Sequence, residues 1–165
     1  MTFTIRLLTE QDSIAELTEL LHNAYAQLGA MGFNYTAVDQ PEHVTRRRIS
    51  GGECYIAVNG GLVLGTILFH RHPRGCAWYE QAHVAAVHQF GVRPNAQRHG
   101  VGAALLTFAE DRARAHGAGE LALDTSEGAT HLIAWYRKMG YRQVETAQWT
   151  GKTYRSVILS KPLTR

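Results

Sequence analysis

Val92-Arg93-Pro94-Asn95-Ala96-Gln97-Arg98-His99-Gly100-Val101-Gly102-Ala103-Ala104-Leu105 is the stretch on which the reading of this chain turns. Before it, Val84 to Val92 is apolar enough for a strand, and after it Val101, Ala104, Leu105 and Phe108 recur at the spacing of one helical face. Strand, tight turn and helix therefore follow one another. The first turn of a helix has N–H groups without intrahelical acceptors and the positive end of the macrodipole. Gly100 and Gly102 lack the Cβ atoms that would hold an anion away from those amides. With Arg98 and His99 beside it, the segment reads as a diphosphate cradle.

The spacing excludes two familiar phosphate ligands. A nucleotide-hydrolysing P-loop needs Lys and then Ser or Thr after its last glycine, and here Ala103-Ala104 follow Gly102. A dinucleotide fingerprint wants a third glycine near the first strand of the fold, and this run has Leu105 in that place and lies past mid-chain. The pattern Gln97-x-x-Gly100-x-Gly102-Ala103, led in by Val92-x-Pro94, instead resembles the acetyl-CoA pyrophosphate loop of the GNAT superfamily of N-acetyltransferases. A second segment strengthens the resemblance: Tyr136-Arg137-Lys138-Met139-Gly140-Tyr141 looks like the superfamily's helix end, which passes into a strand. Its local chemistry reads the same way independently. Ala129, Leu132, Ile133 and Tyr136 share a helical face, Arg137 and Lys138 suit the negative helix end, and Gly140 suits a left-handed cap.

Composition sets the bounds. The 165 residues are expected to form one domain (1–165), and the balance of 45% hydrophobic to 19% charged residues is that of a globular protein. No apolar run is long enough for a membrane span and the N-terminal segment lacks signal-peptide features, so a cytoplasmic protein without membrane contact is the expectation. Cys54 and Cys76 are expected as free thiols, and no metal site is expected. The net charge of +3 suits an anionic cofactor and is low for a nucleic-acid binder. The run Arg46-Arg47-Arg48 reads as a solvated helix end rather than a phosphate patch.

Working outward, Thr4 to Leu8 alternates like a strand, and Ser13-Ile14-Ala15-Glu16 has the form of a capping box before an amphipathic helix through Leu28. Gly29 to Thr36 reads as a lid loop, followed by a short helix near Pro41 to Ile49. Asn59-Gly60-Gly61 joins strands Cys54 to Val58 and Leu62 to Phe69 as a hairpin, and Arg71 to Gln81 reads as a long connection. A fifth strand begins at Leu121, a helix covers about Thr130 to Met139, and strands Tyr141 to Trp149 and Tyr154 to Lys161 close the chain. The expected order is β-α-α-β-β-β-α-β-α-β-β, a mixed α/β (α+β) fold with a largely antiparallel sheet flanked by helices, which is also the order the resemblance implies. It further implies that the fourth and fifth strands splay apart so that pantetheine pairs beside the fourth.

The resemblance implies acetyl-CoA as co-substrate, bound by Phe90, Gly91, Val92, Gln97, Arg98, His99, Gly100, Val101, Gly102 and Ala103, with an amine of a small molecule or protein as acceptor. Tyr136 matches the tyrosine that protonates the leaving sulfur, and a main-chain N–H around Phe90 to Val92 is the expected oxyanion donor. Gly91 suggests a bulge or the close approach of a ligand. The place of one familial base, six residues before Val92, holds Ala86; the place of another, twelve before Tyr136, holds Asp124. Asp124 leads the candidates for general base, ahead of His88, which shares the strand face of Ala86, and of Glu127. Each has a plain alternative: a turn cap, a packed histidine and a solvated charge. Ala129 stands where relatives place an asparagine against the cofactor, which shifts that task to main-chain amides.

Phe33, Tyr35 and Trp149, with Lys152 and Tyr154 nearby, are expected to line the acceptor end, with aromatics that cover core as the alternative, and the sequence leaves monomer and homodimer open although relatives often pair. The competing reading is a non-catalytic acyl-CoA sensor or interaction module.

Overall fold

The computed structural model describes residues 1–164; Arg165, the last residue of the expected domain, lies outside them. Seven strands form one sheet: β1 (Thr4–Leu7), β2 (Glu53–Asn59), β3 (Leu62–His70), β4 (Val84–Val92), β5 (Glu120–Ser126), β6 (Arg142–Ala147) and β7 (Ser156–Pro162). Their spatial order is β1-β2-β3-β4-β5-β7-β6, antiparallel except for the central β4–β5 pair. Four helices complete the expected order: α1 (Ile14–Ala30), α2 (Glu42–Ser50), α3 (Val101–Ala115) and α4 (Thr130–Lys138). The β2–β3 turn uses Gly60 and Gly61 at φ 53° and 91°, values that glycine adopts without strain.

Strand alternation divides the core between two faces. Tyr55, Ile67, Phe69, Ala85, Val87, Leu121, Leu123 and Leu159 point toward Val101, Leu105 and Leu106 of α3 and Tyr136 of α4. Residues of opposite parity, Cys54, Ile56 and Leu68, meet Leu17, Leu20 and Leu21 of α1, while Val84, Ala86, Ala122 and Ile158 pack under Tyr79. Helices α3 and α4 therefore cover one face, and α1 with the 71–83 connection covers the other. Ser13 caps α1 by accepting from the amide of Glu16 at 3.1 Å. The reciprocal half of the expected capping box is replaced by a contact between Glu16 and Arg93 at 3.4 Å.

The centre of the sheet comes apart. Strands β4 and β5 pair only from Val84 to Ala86 against Glu120 to Ala122, although both run on well beyond. The cause lies on the other edge of β4. Thr66 pairs with Gly91 and Leu68 with His88, so β4 holds one residue more than β3 over that interval, and Gln89 takes φ 49°. A bulge of this kind bends its strand and sharpens the local twist. Packing alone calls for glycine at 91, since a Cβ there would stand 3.0 Å from Cβ of Ala24 in α1. The bulge expected at Gly91 lies two residues earlier, at Gln89, and Gly91 itself pairs with Thr66.

Candidate functional site

A cavity of about 740 Å³ occupies the gap between β4 and β5 and reaches both faces of the sheet. On the α3 face its wall includes Phe90, Gly91, Val92, Gln97, Arg98, Gly100, Gly102, Ala103, Trp135 and Tyr136. Gly100, the residue before α3, has φ 83°, no side-chain cap stands over the helix, and a Cβ at Gly100 would point into open space. The first amides of α3 consequently face the cavity without intrahelical acceptors. Arg98 also has positive φ, 65°, and Gln97 donates from its amide to the carbonyl of Val92 at 3.2 Å, fixing the turn to the strand it leaves. Two expected residues depart from this wall. His99 is exposed outside it, and the Val101 side chain is buried in the core, leaving only its main chain for the mouth.

Tyr136 reaches the cavity from α4 and is 8% exposed, and no partner among the described residues takes up its hydroxyl. Burial, reinforced by Tyr25, Tyr35 and Asp124, pushes its ionisation well above the ordinary phenol range. It is thus held as a neutral O–H donor. Tyr25 donates to the carbonyl of Phe90 at 2.8 Å, and burial raises it to about 12.

On the α1 face, His88 and Asp124 confront each other across the gap, with Nε2 3.5 Å from Oδ1. Asp124 also accepts from the Tyr79 hydroxyl at 2.5 Å and from the Trp149 indole N–H at 3.0 Å. Burial opposes its charge, but the donors His88, Tyr79 and Trp149 outweigh that and hold it below the ordinary carboxylate value. A carboxylate so fully bonded is a poor proton acceptor and a good anchor. His88 lies edge-on to Tyr79 and His70, with ring centroids 5.5 and 4.9 Å away, and its Nδ1 has no partner among the described residues. His70 itself is lowered to about 4, by burial first and then by His88 and Arg48. Glu127, the third sequence candidate, is exposed on the 127–129 turn and is not part of the wall.

The rest of the wall includes Tyr35, Thr36, Arg48, Arg74, Trp149, Lys152 and Tyr154. The segment expected as a lid is tied down: the Tyr35 hydroxyl bonds Thr125 Oγ1 at 2.8 Å and accepts from the Ser126 amide at 2.9 Å, and Asn34 binds Thr153 and Gly151. Phe33 departs from expectation. It packs behind Tyr35 and Tyr154 and against Gly128, where a Cβ would stand 2.6 Å from its ring, and it does not reach the cavity. Trp149 and Tyr154 lie in the 148–155 connection rather than in strands, which frees their rings to turn inward.

Arg48 separates from the exposed Arg46 and Arg47 and enters the cavity wall, against the expectation of a uniformly solvated run. Sequence reasoning also missed Tyr79, placed in a connection that has no periodicity. Its only local sign is the aromatic pair Trp78-Tyr79 inside a polar loop.

A model of the acetyltransferase (GNAT) family matches residues 15–141, which takes in α1 from its second residue, the splayed strands, the glycine mouth and Tyr136. The chain belongs to the GNAT acetyltransferase family. Among solved structures, a Pyrococcus horikoshii protein superposes with a TM-score of 0.78 at 20% identity, covering 99% of this chain and 100% of that one. A GNAT family acetyltransferase from Elizabethkingia anophelis, solved with acetyl-CoA bound, gives 0.69 at 18% identity over 98% of each chain. A Bacillus subtilis acetyltransferase in complex with CoA gives 0.68 at 20% identity, covering 99% and 100%. No curated protein matches by sequence. The mixed, largely antiparallel architecture expected from the sequence is thus that of GNAT structures. Within this GNAT chain the base position six residues before Val92 is Ala86, fully buried, so His88 and Asp124 are the polar side chains that β4 and β5 bring to the gap beside Gln89 and Thr125.

Proposed function

We propose that the chain transfers the acetyl group of acetyl-CoA to a primary amine of a small molecule or protein by direct attack of the amine on the thioester. The supporting observation is one continuous cavity running from the glycine mouth, through the β4–β5 gap, to the His88–Asp124 pair. The mouth fits a diphosphate: its amides lack internal acceptors, Gly100 leaves open space above them, and Arg98 stands beside. Solved relatives that hold acetyl-CoA or CoA support the same co-substrate here.

Acetyl-CoA supplies an activated acyl carbon: the amine lone pair forms the C–N bond, the C–S bond breaks, one proton leaves nitrogen and one reaches sulfur. His88 takes the nitrogen's proton. Its ring nitrogen Nε2, 3.5 Å from Asp124 Oδ1, is the one at the gap, and the proton it gains there is shared with that carboxylate. Asp124, anchored by Tyr79 and Trp149, orients that ring and stabilises it once protonated. The role of Asp124 in this reading is positioning, and the proton acceptor is His88. Tyr136, held neutral, donates to the departing sulfur, and a main-chain N–H of the bulged segment around Phe90 to Val92 meets the developing oxyanion.

The test is incubation with acetyl-CoA and a panel of primary amines while free thiol is followed. Amine-dependent release, one thiol per acetylated amine, is expected. Tight binding of acetyl-CoA without release across the panel would return the chain to the sensor reading.

A further inference from the structure

Positive charge on the α1-face wall of the cavity exceeds what the protein neutralises. Arg48 donates from Nη1 to Oε1 of Gln40 at 2.9 Å, and it forms no ion pair among the described residues. Lys152 donates to the carbonyl of Asn34 at 2.8 Å and to Thr36 Oγ1 at 3.0 Å, again neutral partners. Asp124 is the one carboxylate on the wall among the described residues, and its oxygens are taken by Tyr79, Trp149 and His88. Arg74, exposed, adds a third cation, and the exposed Asp39 acts on Lys152 only from beyond ion-pair distance. Holding Arg48 and Lys152 partly out of water with no ion-pair partner among the described residues is costly, and a fold keeps such an arrangement where a ligand completes it.

The cations are also prearranged. Gln40, 2% exposed, passes from Arg48 into a buried chain: its Nε2 donates to Thr45 Oγ1 at 2.7 Å and to Gln89 Oε1 at 3.0 Å, and its carbonyl bonds His22 Nε2 at 2.7 Å. The guanidinium is therefore fixed from behind, with donors left over for the cavity. Gln89 Nε2, buried in the same wall, has no acceptor among the described residues. The phosphates of a coenzyme cannot be the missing anion if they sit at Gly100 and Gly102, on the opposite face of the sheet.

We infer that the acceptor is a small amine carrying a carboxylate on the same molecule, its acid end seated between Arg48 and Lys152 and its amine delivered to the His88–Asp124 pair. The inference rests on the acetyl-transfer reading for the position of the amine, and on the charge of the wall for the carboxylate. A guanidinium fork with a neighbouring ammonium matches two carboxylate oxygens better than it matches any neutral group. Of the two acceptor classes proposed above, it selects an amino-acid-like small molecule over a protein amino group.

The test titrates the full chain, saturated with CoA, with the twenty amino acids and short ω-amino acids, each against its primary amide, by calorimetry. At least one acid is expected to bind tenfold or more tightly than its amide. Arg48→Gln and Lys152→Gln should each cut that preference to under threefold, with the affinity for CoA reporting an intact fold; Lys152, half-buried in the 148–155 connection and outside the Gln40 network, serves where the Arg48 variant folds poorly. No acid preferred over its amide, or a preference that survives both substitutions, overturns the inference. An acid that binds with this preference yet releases no thiol when acetyl-CoA replaces CoA upholds it and overturns acetyl transfer instead.

Discussion

The glycine mouth on the α3 face draws its contacts from one short run, Val92 to Ala103, and uses mostly main chain. The α1-face wall is assembled from the side chains of Arg48, Tyr79, His88, Asp124, Trp149 and Lys152, which come from five separate segments of the chain. A main-chain site is fixed by local conformation, so few residue types suit it and the chain spells it out in order. A side-chain site is fixed by topology. Its members need only arrive together, and each alone looks ordinary. The first kind should fail through geometry, the second through chemistry.

That contrast is sharpest at Gly102. A Cβ there would meet Val92, Phe90 and Trp135 at ordinary distances of 3.6–3.9 Å, so the fold accommodates a side chain while the mouth does not. Gly102→Glu should lower CoA affinity by about 10²–10⁴-fold, the equivalent of two charge-assisted hydrogen bonds, measured by calorimetry. A loss under threefold would break the claim that the mouth is built of main chain.

The opposite end should respond in rate. His88→Gln should lower kcat by about 10²–10⁴-fold with little change in CoA affinity, and Asp124→Asn should fall in the same range. If the two act as one unit, the double variant will be no slower than the worse single one. Multiplicative losses would show that Asp124 has a task of its own, the direct proton transfer suggested by its position twelve residues before Tyr136. Tyr136→Phe should reduce turnover by about tenfold, more than it reduces cofactor affinity, because a thiolate leaves readily even without a proton. Trp149→Phe removes one donor from Asp124 and should cost about fivefold in kcat, close to 1 kcal/mol.

The smallest expected effect is on stability. His70 is held at about 4 in the folded chain against about 6.5 unfolded, so the fold favours its neutral ring. Its contribution is present above pH about 6.5 and is lost as pH falls from there toward 4, where the unfolded chain binds the proton and the folded one does not. Discounted for partial exposure, this amounts to about 1 kcal/mol, or a Tm change of about 2–4 °C. His70→Gln should flatten the melting curve across that interval by this amount; an unaltered acid slope would place the cause elsewhere.

How much was legible follows from the same distinction. The order of elements was readable because periodicity and turn residues are local: Ser13, Gly60-Gly61, Gly100 and Gly140 each mark a boundary that the structure keeps. The mouth was readable for the same reason. Asp124 and His88 could be suspected singly, but nothing in the sequence says that Tyr79 and Trp149 bond the same carboxylate, since that contact is made only after the 71–83 and 148–155 connections fold over one edge of the gap. Arg48 was hidden by its neighbours. Three successive arginines at a helix end read as solvent-facing, and only the packing of α2 decides which of them turns inward. Phe33 failed the other way, because an aromatic in a glycine-rich loop looks available until Gly128 gives it a place to settle.

The brief ladder from Val84 to Ala86 leaves the sheet as two panels, β1 to β4 and β5 with β7 and β6, hinged along a seam three residues long. Any guest that lines up its own amides along the free rim of β4 acts as a clasp between them. The two panels would then melt as one unit when the clasp is fastened and more independently when it is not, so hydrogen exchange on β5 should slow when a ligand binds at β4.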